Sequence, residues 1–503
     1  MSFDSVDFLL FFPIVALLYY VIPNKTRFNF RNMWLLIASY YFYMSWNAKY
    51  AVLILFSTVI TYICGLLIDK ELLNQINSKL LDNKKIILAF GLLINILILS
   101  VFKYGNFILH NVYIVLKRIT ILESEPHLDL LLPVGISFYT FQALGYIIDV
   151  YRGEIKAEKS FIKYALFVSF FPQLVAGPIE RSKNLLHQLE EEHKFDLDII
   201  RDGLLMMLWG FFMKLVIADR AALFVDTVYN DYLSFPGWYL IVATILFGFQ
   251  IYCDFNGYTL IARGAARIMG FSLMENFNAP YLSLNVGEFW RRWHISLTSW
   301  FKDYLYIPLG GNRKGKVRKY INILIVFGVS GLWHGANWTF VIWGLLNGMY
   351  QVVGSLLMPI RNKIVELLRL HRSSFGHRLA STIVTFGLVD FAWMFFRAKS
   401  FSDSISIAKS MITAQNVWIL VDHESIFNCG LDRYDFELLV FAIIILFIAD
   451  VFKVKKIQIL RDIIYKQDTW FRWTYYIVSF LFVLIFGIWG CEYENAAFLY
   501  FQF

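Results

Sequence analysis

The sequence predicts an all-α, multi-pass membrane protein, and three observations carry that prediction. Apolar residues make up 58% of the chain and charged residues only 17%, against about 25% charged in an ordinary soluble domain. Mean hydropathy is +0.56. The apolar residues are gathered into a series of long runs separated by charged loops. A water-soluble fold of 503 residues could not bury so much apolar surface, and its shell would lack charge. Aromatic residues at 18% exclude disorder. The four cysteines (Cys64, Cys253, Cys429, Cys491) have neither metal-ligand spacing nor a paired pattern. A net charge of +8 reads as the excess of Lys and Arg in cytoplasmic loops, and nucleic-acid binding is not expected.

The first seven residues hold Asp4 and Asp7 and no base, unlike a secretory signal. The apolar run 8–22 is therefore read as a retained span, closed by Pro23 and a basic loop with Lys25, Arg27 and Arg31. That asymmetry predicts an outside N-terminus and a cytoplasmic loop. Apolar segments follow at 33–46, 51–68 and 86–102, the last two separated by Lys70, Lys79, Lys84 and Lys85. Further segments lie at 130–149, 161–177, 203–218, 238–257, 320–359, 379–396, 438–449 and 474–489. A crossing takes about 20 residues, so the shorter ones predict tilted, partial or re-entrant pieces within a total of about eleven spans. No internal repeat or polar linker divides the chain, which predicts one membrane-embedded domain over 1–503.

The chemistry concentrates between Glu288 and Ile360. From Lys319 to Arg361 no acid or fixed base occurs, and His334 interrupts the run inside Gly331-Leu332-Trp333-His334-Gly335-Ala336-Asn337. Glycines on both sides predict a break between two passes, the piece 320–330 being too short to cross alone. An ionisable residue at a break within the membrane is a functional candidate. A neutral imidazole suits a general base, although a packed core histidine fits the same pattern. Upstream, Trp290, Trp293, Leu297, Trp300, Phe301 and Tyr304 recur at three- and four-residue steps, which predicts one amphipathic interfacial helix over 288–308. His294 falls off its basic stripe and could line a route to His334. Arg313, Lys314, Lys316, Arg318 and Lys319 put five positive charges in seven residues, a loop suited to lipid phosphates or to an anionic donor. Asp254, Gln173, Glu180 and Arg181 are embedded in apolar runs, and Asp254 calls for a cationic partner such as Arg263 or Arg267.

Taken in order, Trp290-Arg291-Arg292-Trp293-His294-Ile295-Ser296-Leu297, residues 300–313, and Gly331-Leu332-Trp333-His334-Gly335-Ala336 resemble the membrane-bound O-acyltransferase superfamily. Residues 3–13, 132–142, 176–181 and the closing 498–503 extend the likeness over most of the chain, toward the alginate O-acetyltransferase branch. That resemblance implies a funnelled helical core and transfer of an acetyl group across the membrane plane. His334 would be the catalytic histidine and His294 the second characteristic one. It implies no bound cofactor. An acyl donor such as acetyl-coenzyme A or an acyl carrier would be a substrate, and an extracytoplasmic acetyltransferase of the polysaccharide machinery a partner. Arg291, Arg292, Asp303, Tyr304 and Asn337 are the candidate donor- or substrate-binding residues. Two departures stand out. Asp254-Phe255-Asn256-Gly257-Tyr258-Thr259-Leu260 replaces a common D-F-S-G-Y-S-D, losing the second aspartate, and Lys302 replaces a commoner arginine. D-alanyl transfer to teichoic acid, within the family, and a transporter or flippase, outside it, are the rival readings.

Overall fold

The computed structural model describes residues 1–23, 29–69, 83–119, 124–422, 424–455 and 464–489. Lys25, Arg27, Lys70, Lys79, Cys491 and the 498–503 motif lie outside them. Every regular element among the described residues is helical. Among the described residues, five helices are long and apolar enough to cross a membrane: Phe30–Ile68, Lys84–Arg118, Trp238–Ile268, Phe375–Arg397 and Thr469–Phe486. A sixth arises if Trp338–Leu356 and Met358–Leu367, bent by 52°, count as one span. The shorter apolar helix Val6–Val21 carries an outward apolar stripe suited to lipid. On Val6–Val21, the side chains of Leu10, Ile14, Leu17 and Val21 recur at three- and four-residue steps and are each more than half exposed. In water such a stripe would be an aggregation surface; in a bilayer it is the solvated one.

The chain forms two compact units, Met1–Met207 with Tyr258–Met274, and Leu208–Gly257 with Glu275–Phe503. In the first, several polar groups inside the bundle are paired. Ser57 donates to Asn95 Oδ1 at 2.5 Å, Tyr164 donates to Thr61 Oγ1 at 2.7 Å, and Arg31 donates to the carbonyls of Ile22 and His193 at 2.8 and 2.9 Å. Arg31 thereby caps the end of the first span. The apolar stretch 161–177 is no lipid-facing span: it folds as Phe161–Ser169 and Phe171–Leu174, with nearly every side chain buried. Glu180 accepts hydrogen bonds from the Met274 N–H and from Asn184 Nδ2, tying two loops together, and its burial raises the carboxyl to about 7.

The second unit corrects three expectations. First, the piece ahead of His334 is the 20-residue helix Gly315–His334, about 30 Å long. It starts early because Lys316, Arg318 and Lys319, expected in a loop, form its first turn. Second, the 288–308 stretch is two short helices, Val286–Arg292 and Ile295–Phe301, followed by a π-turn Lys302–Tyr306. Trp290, Trp293, Leu297, Trp300 and Phe301 are buried, so the aromatic pattern encodes core packing rather than an interfacial face. Third, Asp254 pairs with Lys214 at 2.8 Å, and Lys214 also reaches Asp219 at 2.7 Å, all three buried. Neither Arg263 nor Arg267 was needed, because a closer cation projects from the π-helical segment Phe212–Ala218.

Candidate active site

The helix ending at His334 and the helix Trp338–Leu356 pack at minimal separation. A Cβ on Gly331 would collide with the Phe340 carbonyl oxygen, and one on Gly344 with the Phe327 carbonyl oxygen. Gly335 continues the chain in extended conformation (φ −159°, ψ 151°), and Asn337 starts the next helix by accepting the Thr339 N–H at 3.1 Å. The Asn337 amide also donates to the Lys399 carbonyl at 3.2 Å. This anchors the reversal to the segment just past Phe375–Arg397. The predicted break is therefore present, and it presents His334 at a helix C-terminus, only 4% exposed.

Aromatic rings wall the imidazole. Trp333 and Trp343 meet it nearly edge-on at centroid distances of 4.9 and 5.0 Å, and Phe396 at 5.5 Å. Such walls lower the local dielectric and exclude water. The His294 ring lies 6.4 Å from that of His334, so the two histidines singled out from the sequence are brought together. His294 is fully buried and occupies the left-handed region (φ 43°) between Val286–Arg292 and Ile295–Phe301. Left-handed backbone is uncommon outside glycine and is retained where the surroundings over-determine it. Here Asn276 does so: its backbone oxygen accepts the Ile295 N–H at 2.9 Å and its Oδ1 accepts the Ser296 N–H at 3.3 Å. Burial pushes the His294 imidazole down to about 3, leaving a neutral ring beside His334.

The other predicted residues take different places. Arg292 is committed to Glu288 at 2.8 Å and to the Asn278 carbonyl at 3.2 Å. Arg291 is exposed, Asp303 and Tyr304 stand half-buried on the π-turn with Tyr304 against Trp300 at 4.9 Å, and Asn337 serves as a helix cap. Sequence reasoning missed Asn276, Trp343 and Phe396, which hold the site, and Lys214. For Lys214 a signal existed, since it is the single fixed charge in the apolar run 203–218.

A buried pair of histidines at a helix break, enclosed by aromatics, can move a proton to and from a hydroxyl while keeping water away from a reactive acyl group. The chain is similar to known acyl-transfer proteins. Residues 154–387 match the membrane-bound O-acyltransferase family. The chain is 35% identical over 434 residues to a peptidoglycan O-acetyltransferase of Helicobacter pylori, covering 81% of this chain and 79% of that one. It is 37% identical over 406 residues to a probable alginate O-acetylase of Pseudomonas aeruginosa, covering 80% and 72%. To a teichoic acid D-alanyltransferase of Streptococcus thermophilus it is 29% identical over 268 residues, covering 49% and 63%. With most of its length aligned to such relatives and a multi-pass helical architecture to match, the chain belongs to the membrane-bound O-acyltransferase family.

Proposed function

We propose that this protein transfers an acetyl group from a cytoplasmic thioester donor to a hydroxyl of an exported glycan, with His334 as general base. The observation that carries the reading is the pairing of two buried histidines, 6.4 Å apart, at a backbone break walled by tryptophan and phenylalanine. The donor would be acetyl-coenzyme A or an acyl carrier. The acyl group would pass to the acceptor directly or through an extracytoplasmic acetyltransferase partner. His294, neutral and fixed by its left-handed backbone, would pack its ring beside that of His334 and help to hold it in place. Relatives named for peptidoglycan and for alginate match at similar identity, which favours a glycan hydroxyl without choosing the glycan. D-alanyl transfer is less favoured, because two relatives named for it are 28–29% identical and align with 49% and 56% of the chain. A transporter would leave both histidines without a task. Deleting the gene should remove base-labile acetyl esters from exported glycan and leave ester-linked D-alanine unchanged; loss of D-alanine alone would select the rival reading.

The donor side follows from charge. Lys316, Arg318 and Lys319 lie in the first turn of Gly315–His334, where the helix dipole repels cations. External phosphates, of lipid headgroups or of the donor, offset that repulsion on the cytoplasmic face. The acidic first residues and the basic loop after the first apolar run would put the N-terminus outside, in a bacterial cell membrane. A cysteine at position 316 tests this; Gly315, with φ 87°, would be strained by any side chain. An impermeant thiol reagent added to intact cells should leave Lys316→Cys unlabelled, whereas ready labelling would invert the topology.

A further inference from the structure

The helix Trp338–Leu356 begins four residues after His334, and its face toward the site is defined by position. Thr339, Trp343 and Asn347 recur at four-residue steps and are each 1% exposed, so they share one buried face. Trp343 meets the His334 ring edge-on at 5.0 Å, and Asn347 Oδ1 accepts from Trp290 Nε1 at 3.3 Å. Thr339 is the member of that face nearest the helix N-terminus. Thr339 is the second helical residue, so its hydroxyl has no helical carbonyl one turn earlier to bond to. Thr339 Oγ1 has no hydrogen-bond partner among the described residues. A buried hydroxyl without a partner is rare and asks for an explanation. The first amide groups of the helix are already engaged, the Thr339 N–H by Asn337 Oδ1 and the Phe340 N–H by the Asn337 carbonyl. The hydroxyl is thus a donor in hand at the positive end of a 19-residue helix.

We propose that the Thr339 hydroxyl donates the hydrogen bond that stabilises the acyl carbonyl oxygen as it becomes an oxyanion beside His334. The proposal rests on the reading of His334 as the base. The acceptor hydroxyl gives its proton to His334 as its oxygen bonds to the thioester carbonyl carbon, and the C=O π pair moves onto the carbonyl oxygen. Thr339 donates to that oxygen, with the helix dipole adding favourable potential. On collapse the C=O bond re-forms, the C–S bond breaks, and the departing sulfur takes the proton from His334. Products are the ester and a free thiol.

Thr339→Val and Thr339→Ser separate this role from a structural one. Valine removes only the hydroxyl, and a hydroxyl with no partner contributes nothing to the fold that its loss would expose. Membranes of the producing cells, with their cytosol and labelled acetyl-coenzyme A, supply the native donor and acceptor systems. Thr339→Val should lower the saturated rate of ester formation by about 10²–10³-fold, as removal of one oxyanion donor does. The donor concentration for half-maximal rate should stay near that of wild type, and thermal stability in detergent should be equal or higher. Thr339→Ser should recover most of the rate. A Thr339→Val protein with full activity, or one that melts lower in proportion to its loss, overturns the proposal. His334→Gln measured alongside distinguishes the two ideas. An inactive His334→Gln beside an active Thr339→Val removes the oxyanion assignment alone, while an active His334→Gln removes the base and the proposal together.

Discussion

Replacing His334 with glutamine should lower the rate of acyl transfer by about 10²–10⁴-fold, the usual worth of a general base. Glutamine approximates the size of imidazole and can still hydrogen-bond, but its amide cannot take up a proton near neutrality. The substitution therefore tests proton transfer rather than packing. Trp333, Trp343 and Phe396 should close around the new side chain, so the protein should accumulate in the membrane with little change in stability. The concentration of donor giving half-maximal rate should change little, because the lost interaction forms only in the transition state. His334→Ala should be equally inactive but less stable, since it leaves a cavity among three aromatic rings. Rate loss in His334→Gln without loss of accumulation is the informative pattern, and it is read from ester formation and thermal unfolding on the same preparations.

Replacing Lys214 with alanine should have the largest effect on stability. Lys214 lies between Asp219 and Asp254 at 2.7 and 2.8 Å, and all three side chains are less than a tenth exposed. Removing the cation leaves two carboxylates buried close together with their shared partner gone. Breaking a buried pair from one side typically costs about 3–5 kcal/mol. Close approach of the backbones leaves no room to relax, since a Cβ on Gly257 would sit 2.8 Å from the Gly210 carbonyl oxygen and 3.1 Å from the Lys214 amide nitrogen. Neutralising all three members, by Lys214→Met with Asp219→Asn and Asp254→Asn, should recover most of the stability, because no buried charge is then left unpaired. Thermal unfolding in detergent compares the two variants. A single Lys214→Ala variant as stable as wild type would show that the triad is solvated and outside the core.

The sequence and the structure agree most closely where a pattern had one physical meaning. Most long apolar runs form helices, although 161–177 turns inward, and the glycines flanking His334 in an otherwise uncharged run mark the break that the structure contains. They part where two structures share one pattern. Aromatics spaced three and four apart over 288–308 suit one interfacial helix as well as two short buried ones. The deciding element was the left-handed backbone at His294, which depends on Asn276 accepting from Ile295 and Ser296 and is therefore a tertiary effect. The partner of Asp254 was equally hidden, since Lys214 lies 40 residues earlier and meets it only when the two helices approach at Gly257. The basic segment reads as a loop because its five charges surround a glycine turn; Arg313 and Lys314 do lie in a turn, while Lys316, Arg318 and Lys319 open the next helix, where cations oppose the dipole. Thr339 carried no signal in the sequence, for a hydroxyl without a partner is visible only once its surroundings are known.

The central claim is that His334 transfers protons during acylation of an exported glycan. Its most direct test is the acetyl ester content of that glycan in a deletion strain complemented with wild type or with His334→Gln, at matched protein levels in the membrane. Wild type should restore the esters, and His334→Gln should leave them at the level of the deletion. Full restoration by His334→Gln would contradict the account.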